Sequence, residues 1–340
     1  MAAKRPGLGA ASADGMASRE TSGGNVGYRA APERRHDSGY HDSQSAEAKE
    51  TRARQARHPD EPAVTTRTRR PSALPTDWRD FARSLAPLTL LALAAAFVPL
   101  RIPVLVAVVA GAAVGINRGA PVRWAWAAAV PVAINLAWGV WPAPLAAPDL
   151  SDCARLASPV AIWRLAEGFV ALMGLAVLAN ALHAPRSSLL LRWPSKRVVR
   201  LSLVGFLLAG PVALVIGPIV SGPFFGEVHY DVTIVGAIVP ALVFAVANGT
   251  MEELVYRGAL LGWSARVMGL WPAVVGQAVV FGLAHSGSDV VGNGVPLMIA
   301  LGIGGLLAGI VAVRTRSLLL PMAIHIGLDI PIYYAFACAT

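Results

Sequence analysis

Long apolar runs separated by short charged segments make up most of the chain after about residue 84. A helix needs about 20 mainly apolar residues to cross a bilayer, and fewer in a tightly packed bundle. The runs predict an all-α, polytopic transmembrane helix bundle of eight or nine spans, because the first two runs form either a hairpin or one broken helix. The predicted spans are residues 85–100, 102–116, 124–142, 160–182, 201–221, 233–253, 270–286, 295–313 and 317–338.

Residues 1–83 have a different pattern, with no apolar periodicity and many Ala, Arg, Ser, Gly, Asp and Glu residues. They hold 15 of the 29 Lys and Arg residues and 11 of the 20 Asp and Glu residues. Such a segment cannot bury enough apolar surface to offset its ordering entropy. We therefore predict a disordered tail over 1–83, N-terminal transmembrane helices over 84–200 and a C-terminal transmembrane domain over 201–340.

Basic residues recur in alternate loops, and the loops between them are acidic or neutral. The positive-inside rule places the tail and the basic loops in the cytoplasm. We expect a multi-pass protein of the cell membrane with a cytoplasmic N-terminus and membrane lipid as a partner. The net charge of +9 belongs to these loops and the tail, so we expect no nucleic-acid partner. Cys153 and Cys338 both lie on the outer side in this topology, which permits a disulfide.

Ionisable residues within the apolar runs are the candidates for chemistry, because a charge in the bilayer core is costly. Arg164 and Glu167 lie three residues apart on the fourth span and predict a structural ion pair near the outer interface. The remaining candidates lie on three consecutive C-terminal segments. They are Glu252, Glu253, Arg257, His285, His325 and Asp329.

Helix geometry can bring these C-terminal residues together. At about 1.5 Å per residue, Glu252 lies about 24 Å before the predicted turn at Val267–Leu270, and His285 lies about 25 Å beyond it. An antiparallel hairpin therefore places Glu252 and His285 at similar depth. His325 and Asp329 share a helix face and reach that depth if the hairpin protrudes into the cytoplasm. The predicted site lies in the inner half of the membrane and is open to cytoplasmic water.

The residue types at this site suit hydrolysis. A carboxylate in a low-dielectric site can act as a general base, and histidines can position water, stabilise an oxyanion or bind zinc. Arg257 lies four residues after Glu253 and can pair with it, which leaves Glu252 for chemistry. Asp329 can orient the neighbouring histidine or join a metal shell.

Three motifs follow one another over about residues 240–335: Glu-Glu-x-x-x-Arg, Phe-x-x-x-His and His-x-x-x-Asp. In this order they resemble the CPBP intramembrane protease family, which comprises type II CAAX prenyl endopeptidases and bacteriocin-processing relatives. The resemblance implies an endopeptidase that hydrolyses a peptide bond of a membrane-associated peptide or protein. It implies that Glu252 activates a water held by His285, and that Glu253 pairs with Arg257.

The third motif differs from the family pattern, which often ends in Asn where this chain has Asp329. The resemblance gives His325 and Asp329 a role in oxyanion support or metal binding. The extra carboxylate either favours the metal or raises the pKa of a neighbouring group, and it disfavours oxyanion support by Asp329. Family members are usually regarded as metalloproteases, although a metal-free glutamate mechanism is also argued. The candidate zinc ligands are His285, His325, Glu252 and Asp329.

Two other functions remain open. A catalytically inactive family member would keep the fold and act as a membrane binding or immunity protein. A proton-coupled transporter would be expected to show inverted repeats and broken helices at the midplane, and the sequence has no clear repeat.

Overall fold

The structure of the protein is a computed structural model in which helices pack side by side. Every regular element among the described residues is helical, which confirms the predicted all-α class. The described residues are 72, 74, 77–140, 153–154, 158–225, 234–286 and 295–338.

The helices follow the apolar runs closely, and short turns connect several of them. A 3₁₀ turn over Val98–Leu100 separates the first two helices. Gly269 at φ 87° allows the sharp turn between the seventh helix, which ends at Met268, and the eighth, which begins at Leu270. The helices are α1 Trp78–Ala96, α2 Arg101–Asn117, α3 Arg123–Trp138, α4 Pro159–Ala181, α5 Lys196–Phe225, α6 Ile238–Glu252, α7 Gly262–Met268, α8 Leu270–Ala284, α9 Val295–Thr315 and α10 Leu319–Ala337.

The first helix begins earlier than the tail boundary at residue 83 predicts. The carboxylate of Asp77 accepts a hydrogen bond from the backbone N–H of Arg79 at 2.8 Å and caps the helix. Residues 78–83 are therefore helical, and assigning them to the tail was wrong. Residues 1–71, 73, 75 and 76 of the predicted disordered tail lie outside the described residues.

Several helices have the length and composition of membrane spans. Five described helices are long and apolar enough to cross a bilayer, and two shorter apolar helices accompany them. The five are Val98–Asn117, Pro159–Ala181, Lys196–Val215, Val235–Met268 and Val295–Thr315. The longest of them is a continuous run of 34 residues, in which α6 and α7 are joined by a π-helical segment.

The first two predicted spans are separate helices that run in opposite directions. The end of α1 lies beside the end of α8, because the Ser286 hydroxyl donates a hydrogen bond to the Ala95 carbonyl at 2.8 Å. The end of α2 lies beside the start of α3, where a Cβ on Gly115 would lie 3.1 Å from the Cα of Arg123. These contacts make α1 parallel to α8 and α2 antiparallel to α3. Because α3 and α8 both run antiparallel to the long helix, α1 and α2 run in opposite directions.

A disulfide joins two segments that are distant in sequence. Cys153 and Cys338 are bonded, with their Cα atoms 5.3 Å apart. The Tyr333 hydroxyl lies 2.8 Å from the carbonyl oxygen of Cys153 and 2.6 Å from the hydroxyl of Ser158. The end of α10 is thereby attached to the segment that leads into α4.

Candidate active site

The long C-terminal helix changes geometry where the first motif lies. It is α-helical up to Glu252 and π-helical over Glu253–Leu261. π-Helical turns are rare and often lie at functional sites. Gly262 ends this segment against the turn after α4, where a Cβ would collide with the carbonyl oxygen of Ser188. Only glycine at position 262 therefore allows the long helix to approach the Ser188 backbone this closely.

Glu253 is the most enclosed carboxylate of the motif. Its Oε1 lies 3.1 Å from Nη1 of Arg257 and 2.9 Å from Nδ1 of His325. The Glu253 and Arg257 side chains are only 1% and 2% exposed, respectively. The Arg257 guanidinium also lies over the ring of Phe281, 4.1 Å from its centroid. The ion pair expected from the four-residue spacing is present, and a histidine from α10 joins it.

His325 brings both glutamates together. While its Nδ1 faces Glu253, its Nε2 lies 3.5 Å from Oε2 of Glu252 and 3.7 Å from Oδ1 of Asp329. The Glu252 side chain is 8% exposed, compared with 1% for Glu253. The first and third motifs thus form one cluster, in which Glu252 is the more open carboxylate.

The carboxylate of Asp329 has a partner that the motifs do not include. Nδ2 of Asn248 donates a hydrogen bond to its Oδ2 at 2.9 Å. Asn248 lies one helical turn before Glu252 and is buried. It follows that both carboxylate oxygens of Asp329 have polar neighbours, one being Asn248 and the other His325. An isolated amide in an otherwise apolar run was the sequence signal for Asn248, and sequence reasoning missed it.

His285 closes α8 beside the cluster. Its Nδ1 lies 2.8 Å from the carbonyl oxygen of Phe281, and its ring packs edge-on to the Phe281 ring at 4.9 Å. The same phenyl ring lies 6.4 Å from the ring of His325. The structure therefore brings all three motifs to one place, as helix geometry predicts.

A second polar network reaches the cluster from the N-terminal helices. Glu167 on α4 lies 2.7 Å from Nη1 of Arg164 and accepts a hydrogen bond from Nδ2 of Asn135 on α3 at 2.6 Å. The hydroxyl of Tyr256 donates to Oδ1 of Asn135 at 2.8 Å. Tyr256 lies one turn after Glu252, so the network connects α3 and α4 to the candidate catalytic helix.

This network alters the interpretation of the Arg164–Glu167 pair. The sequence placed it near the outer interface with a structural role only. In the structure Gly168 packs against Met251, where an added Cβ would lie 3.6 Å from that residue's Cβ. Glu167 is thus level with the first motif, and the Arg164 guanidinium lies 5.7 Å from the ring centroid of Phe244, two helical turns before Glu252. Sequence reasoning missed the participation of α3 and α4, because nothing local in those helices specifies their neighbours.

Two of the predicted zinc ligands have protein partners in the structure. His325 uses Nδ1 for Glu253, and Asp329 accepts from Asn248. Among the described residues, no group of three or more His, Cys, Asp or Glu side chains is arranged to hold a metal ion. The side chains as placed therefore do not fit a zinc site.

Comparison with known proteins identifies the C-terminal region. Residues 234–330 match the family described as Rce1-like, type II CAAX prenyl endopeptidase Rce1-like. These residues form an Rce1-like domain. The match confirms the family resemblance that the three motifs predict for this region, and with the apolar helices it supports a multi-pass membrane protein. Comparisons with curated proteins and with solved structures find no significant match.

The matched region begins just before α6 and ends within α10. It contains Glu252, His285 and His325, and it excludes Asn135 and Arg164. The Rce1-like domain therefore carries the three motifs, whereas the network from α3 and α4 lies in the unmatched part of the chain.

Proposed function

We propose that the protein is an intramembrane endopeptidase that hydrolyses a peptide bond of a membrane-associated peptide or protein. The difference between two adjacent carboxylates carries this proposal. Glu253 is held by Arg257 and His325. Glu252 lies 3.5 Å from Nε2 of His325 and is more exposed than Glu253, which leaves its oxygens able to accept a proton from water. The Rce1-like match of the same region supports the reaction class.

In the proposed reaction, Glu252 removes a proton from a water molecule held between it and His285. The water oxygen bonds to the carbonyl carbon of the substrate, and the carbonyl oxygen becomes an oxyanion. Glu252 then passes the proton to the amide nitrogen, and the C–N bond breaks to give an acid and an amine. The ion pair between Glu253 and Arg257 holds the long helix in position. His325 contacts the carboxylates of Glu252 and Glu253 and maintains their relative orientation.

The proposed topology has nine spans and a cytoplasmic N-terminus. The chain reversal between α1 and α2 supports two separate crossings at the start. The disulfide supports the orientation, because Cys338 packs with Ala237 and Ala241 at the start of the long helix. Arg266 and the turn at Gly269 lie at the other end of that helix. Disulfides persist in oxidising compartments, which for a cell membrane means the outer side. The candidate site then faces the cytoplasmic half of the bilayer.

The proposal is tested with Glu252→Gln, a change that keeps shape and removes the base. Purified wild-type and variant protein in liposomes are compared for cleavage of peptides identified by proteomics as uncut in variant cells. We expect loss of cleavage of about 10²-fold or more, the contribution typical of a positioned general base, with unchanged expression.

Asp80→Asn on α1 is the matched control, since it also converts a carboxylate to an amide but lies outside the cluster. Full cleavage by Glu252→Gln would refute the mechanism. A wild-type protein that cleaves nothing would favour the inactive binding or immunity alternative. Proton-coupled uptake of a solute into the liposomes would favour the transporter.

A further inference from the structure

An asparagine of α3, outside the Rce1-like domain, contacts the candidate catalytic helix on both sides of its two glutamates. Oδ1 of Asn135 accepts a hydrogen bond from the Tyr256 hydroxyl at 2.8 Å, and Nδ2 lies 4.0 Å from Sδ of Met251. Met251 directly precedes Glu252. Tyr256 follows Glu253 within the next helical turn. One side chain therefore spans the stretch in which the helix changes from α to π geometry.

The Asn135 amide has a defined orientation, because its two polar atoms face partners of opposite character. Glu167 on α4 accepts a hydrogen bond from Nδ2 at 2.6 Å, and its other oxygen accepts from Nη1 of Arg164 at 2.7 Å. An ionised carboxylate only accepts, so the amide presents its NH₂ group to Glu167. The carbonyl oxygen is thereby directed at Tyr256, whose hydroxyl donates. Asn135 therefore holds the tip of the Tyr256 side chain at a fixed point.

The ring of Tyr256 packs against Phe281 and limits its position. The two rings lie edge to face with their centroids 5.0 Å apart, and Tyr256 is only 1% exposed. Phe281 is confined on other sides as well. The Arg257 guanidinium lies 4.1 Å from its ring centroid, and a Cβ on Gly305 would lie 3.0 Å from its Cδ1. A shift of the Tyr256 ring must therefore displace Phe281 or open a gap beside it.

Phe281 in turn contacts His285 through both its backbone and its ring. Its carbonyl oxygen lies 2.8 Å from Nδ1 of His285, and the two rings are 4.9 Å apart at an angle of 63°. His285 is the first residue after α8, so the backbone there is no longer held by a continuing helix. In a catalytic site a displacement of about 1 Å can cost about 10²-fold in rate. The position of the Phe281 ring therefore influences how well the imidazole is placed.

We propose that Asn135 is a positioning residue of this site that sets the orientation of the His285 imidazole. It acts through the Tyr256 hydroxyl and the Phe281 ring. The inference rests on the proposed endopeptidase function, in which His285 holds the attacking water. The effect of Asn135 is on the placement of that water relative to Glu252. Helix α3 thereby contributes to the geometry of the reaction, although it lies outside the Rce1-like domain.

The kinetic test compares kcat and KM of the wild type, Tyr256→Phe, Asn135→Ala and the double variant on the peptide that the wild type cleaves. Tyr256→Phe keeps the ring and removes only the hydroxyl, so it should lower kcat by about tenfold, the rate equivalent of one hydrogen bond. KM should stay unchanged, because the lost contact affects the transition state rather than substrate binding. If Asn135 acts through Tyr256, the double variant should be no slower than Asn135→Ala alone.

Tyr333→Phe is the matched control for a merely structural role. It also removes one buried tyrosine hydroxyl, which contacts the Cys153 carbonyl and the Ser158 hydroxyl at the far end of α10. It should lower the free energy of unfolding about as much as Tyr256→Phe does and leave kcat unchanged. Equal losses of stability in the two variants, with no loss of kcat in Tyr256→Phe, would overturn the positioning role.

An NMR measurement reports on the His285 ring directly and needs no catalysis. The protein contains seven histidines, and after labelling with ¹³C-histidine the His285 signal is the one absent from His285→Ala. Because the Phe281 ring lies 4.9 Å from this imidazole, Tyr256→Phe and Asn135→Ala should both shift that signal, whereas Tyr333→Phe should not. If Asn135→Ala does not fold, Tyr256→Phe alone undergoes both measurements.

The outcomes distinguish this inference from the proposed function. An active wild type with an unshifted His285 signal in Tyr256→Phe would overturn the positioning role and leave the endopeptidase proposal intact. Losses in kcat that multiply in the double variant would overturn the route through Tyr256. A wild type without peptidase activity, whose His285 signal shifts as expected, would support the placement of His285 by Asn135 and overturn the endopeptidase proposal.

Discussion

Removal of the Arg257 charge is the perturbation whose energetic effect the structure specifies best. In Arg257→Met the Glu253 carboxylate, 1% exposed, loses the cation at 3.1 Å. Breaking a buried ion pair by removing one partner costs about 3–5 kcal/mol, because the remaining charge has no compensation. The contact with Phe281 at 4.1 Å is lost as well, which adds about 0.5–2 kcal/mol. His325 still donates to Glu253 and offsets part of the total.

The double variant Glu253→Gln/Arg257→Met shows whether the loss comes from an unpaired charge. Replacing both members of a buried pair by neutral groups of similar size is often nearly neutral. We therefore expect the double variant to be more stable than Arg257→Met alone, with a coupling energy of about 1–3 kcal/mol, typical of residues in contact. Arg257→Lys keeps the charge and is the conservative control.

The assay is unfolding of the purified protein in mixed detergent micelles, titrated with SDS and followed by tryptophan fluorescence. The free energy of unfolding of the wild type, both single variants and the double variant completes the cycle. Additive losses, with the double variant less stable than either single variant, would refute the argument. Glu253 would then be stabilised by something other than its pairing with Arg257.

Two further predictions concern the disulfide and the zinc expectation. Cys338→Ser should lower the free energy of unfolding by about 2–5 kcal/mol, the usual cost of losing a native disulfide. Reduction of the wild type should reproduce the loss, and equal stability of oxidised, reduced and mutant protein would contradict it. Dialysis of the active protein against a chelator should leave cleavage intact, because the candidate ligands His325 and Asp329 are bonded to Glu253 and Asn248. Cleavage that is lost and then restored by zinc would instead assign a metal to the site.

The sequence by itself determined the all-α class of the fold and predicted that Glu252 and His285 lie at a similar level along their helices. A bilayer requires continuous apolar helices, so the apolar runs predict the helices, and the constant rise per residue places Glu252 and His285 at similar depth. The costly presence of ionisable residues inside those runs singled out the residues that the structure brings together. Motif order was enough to predict the family that residues 234–330 match.

Which helices and side chains lie beside one another was decided only by the tertiary structure. Helix rise determines depth, but which helix faces which depends on packing between distant segments. The sequence therefore paired His325 only with Asp329 on its own helix, whereas the structure also places it between Glu252 and Glu253. The same reason explains why Asn248 was overlooked as the partner of Asp329.

The Arg164–Glu167 pair illustrates the same limit. Its three-residue spacing predicts the ion pair correctly, because that contact is local to one helix. Its nearness to Glu252 depends on how α3 and α4 pack against the long helix, and on a Tyr256 hydroxyl that reaches Asn135. Local rules could not place a charge of the N-terminal helices beside the Rce1-like site, and packing decided it.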